Sequence, residues 1–152
     1  MRPDSRLSVA LHALLHLGEQ GEVITSEALA AMLAANPVVL RRTLARLKEA
    51  GIVRAEKGHG GGWSLARGLG SLTLADVYQA LDTGGPFRLG PRDESPGCLI
   101  EQAVNRAVGT ALVEAEARLL SHLQSVSLAD VAADVGRQEK KQRTARAPRR
   151  KA

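Results

Sequence analysis

Aromatic residues are nearly missing from this chain: Phe, Tyr and Trp occur once each in 152 residues. Single-stranded nucleic acids and RNA loops are usually held on stacked aromatic platforms, and so few rings cannot build one. Duplex DNA needs no such platform. Cysteine is as scarce. A single Cys excludes an intrachain disulfide and any zinc site of the multi-cysteine kind. No apolar run approaches the length of a membrane span, and the N-terminus has no hydrophobic signal core followed by a cleavage site, so a cytoplasmic location with no membrane partner is expected.

Chemistry-bearing constellations are missing too. Glu27, Asp76, Glu114 and Glu116 are scattered acids with no pairing that suggests acid–base work. His12 and His16 stand at i, i+4, a spacing that suits one metal, but no further ligand is placed beside them and zinc wants more than two. They read as surface or interface histidines. Gly58-His59-Gly60-Gly61-Gly62 invites comparison with a phosphate-cradling loop, yet no Lys-Ser/Thr follows and the next residues read as a strand rather than a helix. Neither an enzyme nor a cofactor is expected.

What remains is helices, and charge in two places. The net charge is +5, but residues 137–152 hold eight Lys/Arg and one Glu, a net of +7. The other 136 residues therefore sum to −2. The C-terminal run reads as a solvated, disordered basic tail that raises affinity for any polyanion. Within the body, basic residues gather between residues 41 and 57.

That stretch is the most informative. A helix is expected from Thr25 or Ser26 to about Ala34, then a tight turn, then a second helix opened by Asn36-Pro37. Asn is a favoured N-cap, and Pro suits the first helical position because its missing N–H would be unpaired there anyway. Leu40, Leu44 and Leu47 form the buried stripe. Val38, Arg42 and Ala45 lie opposite, flanked by Arg41 and Lys48 on one edge and Arg46 on the other, and Gly51 ends the helix. Arg46 and Lys48 read as phosphate contacts. Two short strands, Ile52–Lys57 and Trp63–Ala66, bracket the glycine run as a hairpin, with Trp63 packing at its base. A basic-faced helix presented by a short preceding helix is the layout that places side chains in a DNA major groove.

Around this unit the chain reads as mostly α. A first helix runs from about Asp4 to Gly18, with Leu7, Leu11 and Leu14 inward, and another runs from Ser71 or Thr73 to about Asp82. The DNA-binding region spans residues 1–82, and residues 83–97 are a Gly/Pro-rich flexible loop. The dimerisation region, 98–136, opens with the longest helix, from Cys98 to about Leu123. Ile100, Val104, Val108, Ala111, Ala115, Leu119 and Leu123 line its stripe. Such a helix spans about 40 Å, longer than the body is wide, so a second copy is expected to cover it. A short helix from Ser127 to Val135 follows.

The residues Leu29-Ala30, Asn36 to Arg42, Leu47, Ala50 to Val53 and Gly58 to Leu65 resemble the Rrf2 family of bacterial winged-helix regulators, whose branches include IscR, NsrR and CymR. Ser71 to Val77 and Ser127 to Val131 resemble its linker helix and the end of its dimerisation region. The resemblance covers about residues 6–135. It implies a winged helix-turn-helix fold with a two-stranded wing and a long dimerisation helix. It further implies a homodimeric regulator, expected to be a repressor, on a palindromic operator in double-stranded DNA. Asn36, Val38, Val39, Arg41 and Arg42 are implicated in the major groove, and Lys57, Gly58 and His59 of the wing in the minor groove. Lys57 stands where the family often has Arg, which softens minor-groove reading because Lys lacks the planar guanidinium.

The iron–sulfur branches use three cysteines near the start of the long helix, whereas this chain has Cys98 alone. One thiolate per subunit cannot hold a cluster. Cys98 follows Pro96-Gly97 at a helix start, where the dipole favours a thiolate, and is the redox-sensor candidate. A small residue filling the dimer seam is the competing account. The rival for the whole chain is a module that binds DNA without sequence preference, or docks another protein, and has no sensing role.

Overall fold

Alternating apolar positions along Arg6–Gln20 make the first helix, α1, which buries Ala10, Ala13, Leu14 and Leu17. The computed structural model describes residues 6–58, 60–81 and 97–146, so Asp4, His59, all but the end of the 83–97 loop and residues 147–152 lie outside it. Helix α2, Ser26–Met32, is capped by the Thr25 hydroxyl, which accepts from Ala28 N at 3.1 Å. Helix α3, Pro37–Glu49, is capped by Asn36, whose Oδ1 accepts from Val38 N at 2.9 Å and Val39 N at 3.4 Å. Two antiparallel strands follow, β1 (Val53–Glu56) and β2 (Gly62–Leu65), with Val53 opposite Leu65 and Glu56 opposite Gly62. A 3-10 turn at Leu69–Ser71 leads into α4 (Leu74–Ala80), and the chain closes with α5 (Leu99–Gln124) and α6 (Leu128–Arg146). The result is a winged helix-turn-helix followed by long helices, as the sequence pattern implies.

Helices α2 and α3 end in the same way with different residues. Ala35 N donates to Ala30 O and Ala34 N to Ala31 O, while Ile52 N donates to Leu47 O and Gly51 N to Lys48 O. This doubled bond closes a helix when the residue after the cap turns left-handed. Gly51 does so at φ 68°, and Ala34 does so at φ 48° despite its Cβ. Alanine resists that conformation, so the α2–α3 turn holds strain that the α3–β1 turn does not.

One hydrophobic core joins these elements. Leu14, Leu17, Leu29, Leu40, Leu44, Leu47, Ile52, Leu72, Val77, Leu81 and Leu128 are all buried within it. Leu128 belongs to α6, so the last helix is rooted in the body. Its root is a local pseudo-two-fold. Ser71-Leu72-Thr73-Leu74-Ala75-Asp76-Val77 and Ser125-Val126-Ser127-Leu128-Ala129-Asp130-Val131 share a pattern and meet antiparallel at Thr73 and Ser127. Leu74 N donates to Val126 O at 3.0 Å, and Leu128 N to Leu72 O at 2.8 Å. Each hydroxyl caps its helix while an aspartate three residues on answers the cap's own N–H: Thr73 with Asp76, Ser127 with Asp130. The Ser127 hydroxyl and backbone N–H hold the Asp130 carboxyl below its ordinary 3.8. This cap is therefore at full strength above that value and is lost as pH falls through the depressed one.

Two features of the long helices stand out. Helix α5 has no buried residue, and Leu99 and Ile100 are 77% and 76% exposed, with Val104, Val108 and Val113 also open. Toward its C-terminal end Leu119, Leu120 and Leu123 are half-buried. Helix α6 runs on to Arg146, eleven residues past the expected end at Val135 and well into the segment read as a disordered tail. The correction has a local cause. No breaker stands between Gly136 and Pro148, and Gln, Glu, Lys and Arg are good helix formers. Asp134 pairs with Arg137 at 3.1 Å, and the basic residues lie toward the negative end of the helix dipole.

Candidate nucleic-acid interface

Helix α3 is held to α1 by its buried leucines, and Thr43 joins them by donating its hydroxyl to Val39 O at 3.0 Å. That packing turns Val38, Arg42 and Ala45 outward, with Val38 54% exposed. An apolar residue left open beside cationic ones suits contact with thymine methyls. Asn36 is exposed, but its carbonyl oxygen is taken by the cap, so only its amide N–H groups are free to turn outward.

The three arginines of α3 differ in their partners. Arg41 Nη2 lies 3.4 Å from Glu27 Oε1 on α2. Arg46 Nη1 donates to Leu81 O at 2.9 Å, tying α3 to the end of α4. Arg42, between them on the open face, has no side-chain partner among the described residues. Arg46 is thus first a tie within the body, and only the rest of its guanidinium can meet a phosphate. Lys48 is exposed on the edge of the helix nearer Arg41.

A cleft of about 290 Å³ runs along the other flank of α3, lined by Arg6, Val39, Arg42, Thr43, Arg46 and Leu81. Arg6 comes from the first turn of α1, and sequence reasoning passed over it. Its neighbours are drawn from residues 39–46 and 81, so no local pattern marks it.

The wing is anchored at its base. Ile24 N donates to Trp63 O at 2.9 Å and Trp63 N to Ile24 O at 2.8 Å, while Trp63 Nε1 donates to Ser26 Oγ at 2.9 Å. Trp63 therefore packs where expected and also pins the start of α2. Gly62 is required by the same approach, since a Cβ there would collide with the Ile24 carbonyl. At the tip, Gly61 N closes a turn onto Gly58 O at 3.0 Å, and Gly58 and Gly60 are left-handed. Lys57 and Gly58 are exposed; His59 lies outside the described residues. Helix α3 and the wing thus present exposed cationic groups from elements that share one core.

Cys98 is a free, exposed cysteine at the N-cap of α5, its carbonyl accepting from Gln102 N at 3.0 Å. On α1 the His12 and His16 rings stack with centroids 4.9 Å apart, and His16 Nδ1 lies 3.6 Å from Glu19 Oε2.

Residues 4–134 match the family model for Rrf2, described as iron-dependent transcriptional regulators. This chain belongs to the Rrf2 family. YwnA of Bacillus subtilis, described as a candidate HTH-type transcriptional regulator, is 30% identical over 128 residues, covering 84% of this chain and 95% of that one. Rv1287 of Mycobacterium tuberculosis, described in the same terms, is 31% identical over 134 residues, covering 87% and 81%. Among solved structures, one described as a candidate DNA binding protein is 30% identical with a TM-score of 0.68, covering 84% of this chain and 98% of that one. IscR of T. potens is 19% identical with a TM-score of 0.60, covering 89% and 88%, a likeness of fold alone. The Rrf2 chain described here is thus a transcriptional regulator with a DNA-binding fold rather than an enzyme.

The iron in the family's description does not fit this chain's donors. Its sequence has one cysteine, and among the described residues no group of three or more His, Cys, Asp or Glu is placed to hold a metal. An iron–sulfur cluster needs a set of thiolates that Cys98 cannot supply. Among the described residues no helix is long and apolar enough to cross a membrane.

Proposed function

We propose that this Rrf2 protein is a homodimeric, sequence-specific repressor acting in the cytoplasm on a two-fold symmetric operator, and that Cys98 makes it responsive to thiol oxidants. One observation carries the DNA-reading part. Val38, Val39 and Arg42 stand open on α3, Lys57 is exposed on the anchored wing, and Arg42 has no hydrogen-bond or ion-pair partner among the described residues. A free guanidinium on the outer face of a recognition helix can reach guanine O6 and N7 with two parallel bonds. The resemblance to the family adds Asn36, Arg41 and Gly58 to this reading, and His59 is assigned to the wing tip by its place in the sequence.

The dimer is supported by the start of α5, where Leu99, Ile100 and Val104 are left exposed by the described residues. A second copy of the helix is the natural cover. Cys98 adjoins that apolar start and is open to solvent. Oxidising it to a sulfenic acid or a mixed disulfide adds a polar group beside the seam, which alters the spacing of the two α3 helices.

Selection from a pool of random duplexes, with and without peroxide (which gives the sulfenic acid) or diamide plus a small thiol (which gives the mixed disulfide), tests all three parts. The expected product is an inverted repeat bound about a thousand-fold more tightly than scrambled DNA. Oxidant is expected to release the wild type and leave Cys98→Ser bound. A pool that enriches no sequence favours the non-specific architectural module instead.

A further inference from the structure

Glu27 is out of place on a surface that meets phosphates. It sits in the first turn of α2, exposed, with its carboxylate on Arg41 of the recognition helix at 3.4 Å. As a stabilising contact the pair counts for little, since the two side chains are 72% and 55% exposed and solvent screens them. Its placement, however, is not loose. The residue before Glu27 is Ser26, whose hydroxyl takes the Trp63 indole N–H, and the Ile24–Trp63 backbone bonds fix the same stretch to the wing.

We infer that Glu27 is a specificity-determining residue of the DNA-reading surface, acting as a positioning residue that orients the Arg41 guanidinium. The inference rests on the DNA-reading function proposed above. A guanidinium has five N–H donors in a planar fork, and an Arg carrying no second contact samples many rotamers. Glu27 takes the Nη2 end, leaving the rest of the fork free to meet a base edge in one orientation. The carboxylate also carries a negative charge toward the DNA backbone. Duplexes that offer Arg41 no guanine receive that repulsion with no compensating contact. Duplexes with guanine in register gain a fork already aimed. Glu27 therefore lowers affinity for wrong sequences and sharpens one base position, which is discrimination built from a repulsive element as well as an attractive one.

The test compares the base profiles of wild type, Glu27→Ala, Glu27→Gln, Arg41→Ala and the double variant, each selected on random duplexes and then titrated on duplexes differing at one base pair. Glu27→Ala is expected to raise affinity for scrambled DNA and to lower discrimination about five-fold or more at one base pair per half-site. Arg41→Ala should lose discrimination at that same pair, and the double variant should match Arg41→Ala there. Glu27→Gln, which keeps an acceptor oxygen but not the charge, should retain part of the base preference while binding scrambled DNA more tightly. Thermal midpoints should stay at the wild-type value in all. The inference is overturned if Glu27→Ala raises binding to every duplex in equal proportion with an unchanged base profile, or if the pair it affects is not Arg41's. Wild type enriching no sequence at all is a different failure: the DNA-reading function itself falls, and this inference with it.

Discussion

The body and the α5 helix solve the burial of apolar side chains in opposite ways. From α1 to α4, apolar side chains converge on one core, and Leu14, Leu29, Leu40, Leu44 and Leu72 are fully buried. Along α5 the apolar residues are as regular, yet Ile100, Val104 and Val108 remain exposed. Periodicity alone therefore does not say where a helix finds its partner. The body's partners lie within the chain; the stalk's start has none among the described residues. On the function proposed above, the difference gives stability to one region and assembly to the other.

The comparison is broken most severely from the body side. Leu44→Ala removes a fully buried side chain from the core, and should cost about 2–5 kcal/mol of unfolding free energy, read by denaturant titration. Ile100→Asp with Val104→Asp acts on the stalk. We expect the dimer to weaken by about 2–4 kcal/mol, read by sedimentation velocity or equilibrium, while the circular dichroism of the body stays native. If the doubly charged variant unfolds instead, the start of α5 is a packing surface of its own subunit and the contrast drawn here is lost.

Arg42→Ala sharpens the comparison by separating reading from folding. Selected duplexes should bind about 1–3 kcal/mol more weakly, with thermal stability unchanged because the exposed side chain has no hydrogen-bond or ion-pair partner among the described residues. The smallest effect lies in the α2–α3 turn. Ala34→Gly relieves a left-handed alanine and should stabilise the body by about 0.5–1 kcal/mol, against the usual cost of placing glycine in a chain. An equal or lower melting temperature would mean that the turn is not strained.

Much of the body was legible in the sequence because its signals are local. Asn36-Pro37 and Gly51 mark both ends of α3 through chemistry that acts within a few residues, and the leucine spacing names its buried face. The candidate site was legible only in part, and the reason is distance along the chain. The tie from Arg46 to the carbonyl of Leu81 is not legible in the sequence, because the two stand 35 residues apart and nothing near Arg46 announces it. Glu27 looked like an ordinary helix-start acid because Arg41 is 14 residues on. The Thr73–Ser127 clasp did leave a trace, the repeated Leu-Ala-Asp-Val, but a repeat does not say that its two copies pair. For α6 the misleading signal was charge: a basic run reads as solvated, and residues 137–146 are indeed exposed where described, yet they are helical. Solvation and helicity are compatible when every residue is a good helix former.

Footprinting the wild-type protein on its selected duplex tests the central claim most directly, since it asks at once whether the body reads and the stalk pairs. The predicted result is two protected half-sites related by inversion, with centres about one helical turn or a whole multiple of turns apart, and half-sites that bind far more weakly when separated. A single unrepeated protected site, or uniform protection along any duplex, would contradict it.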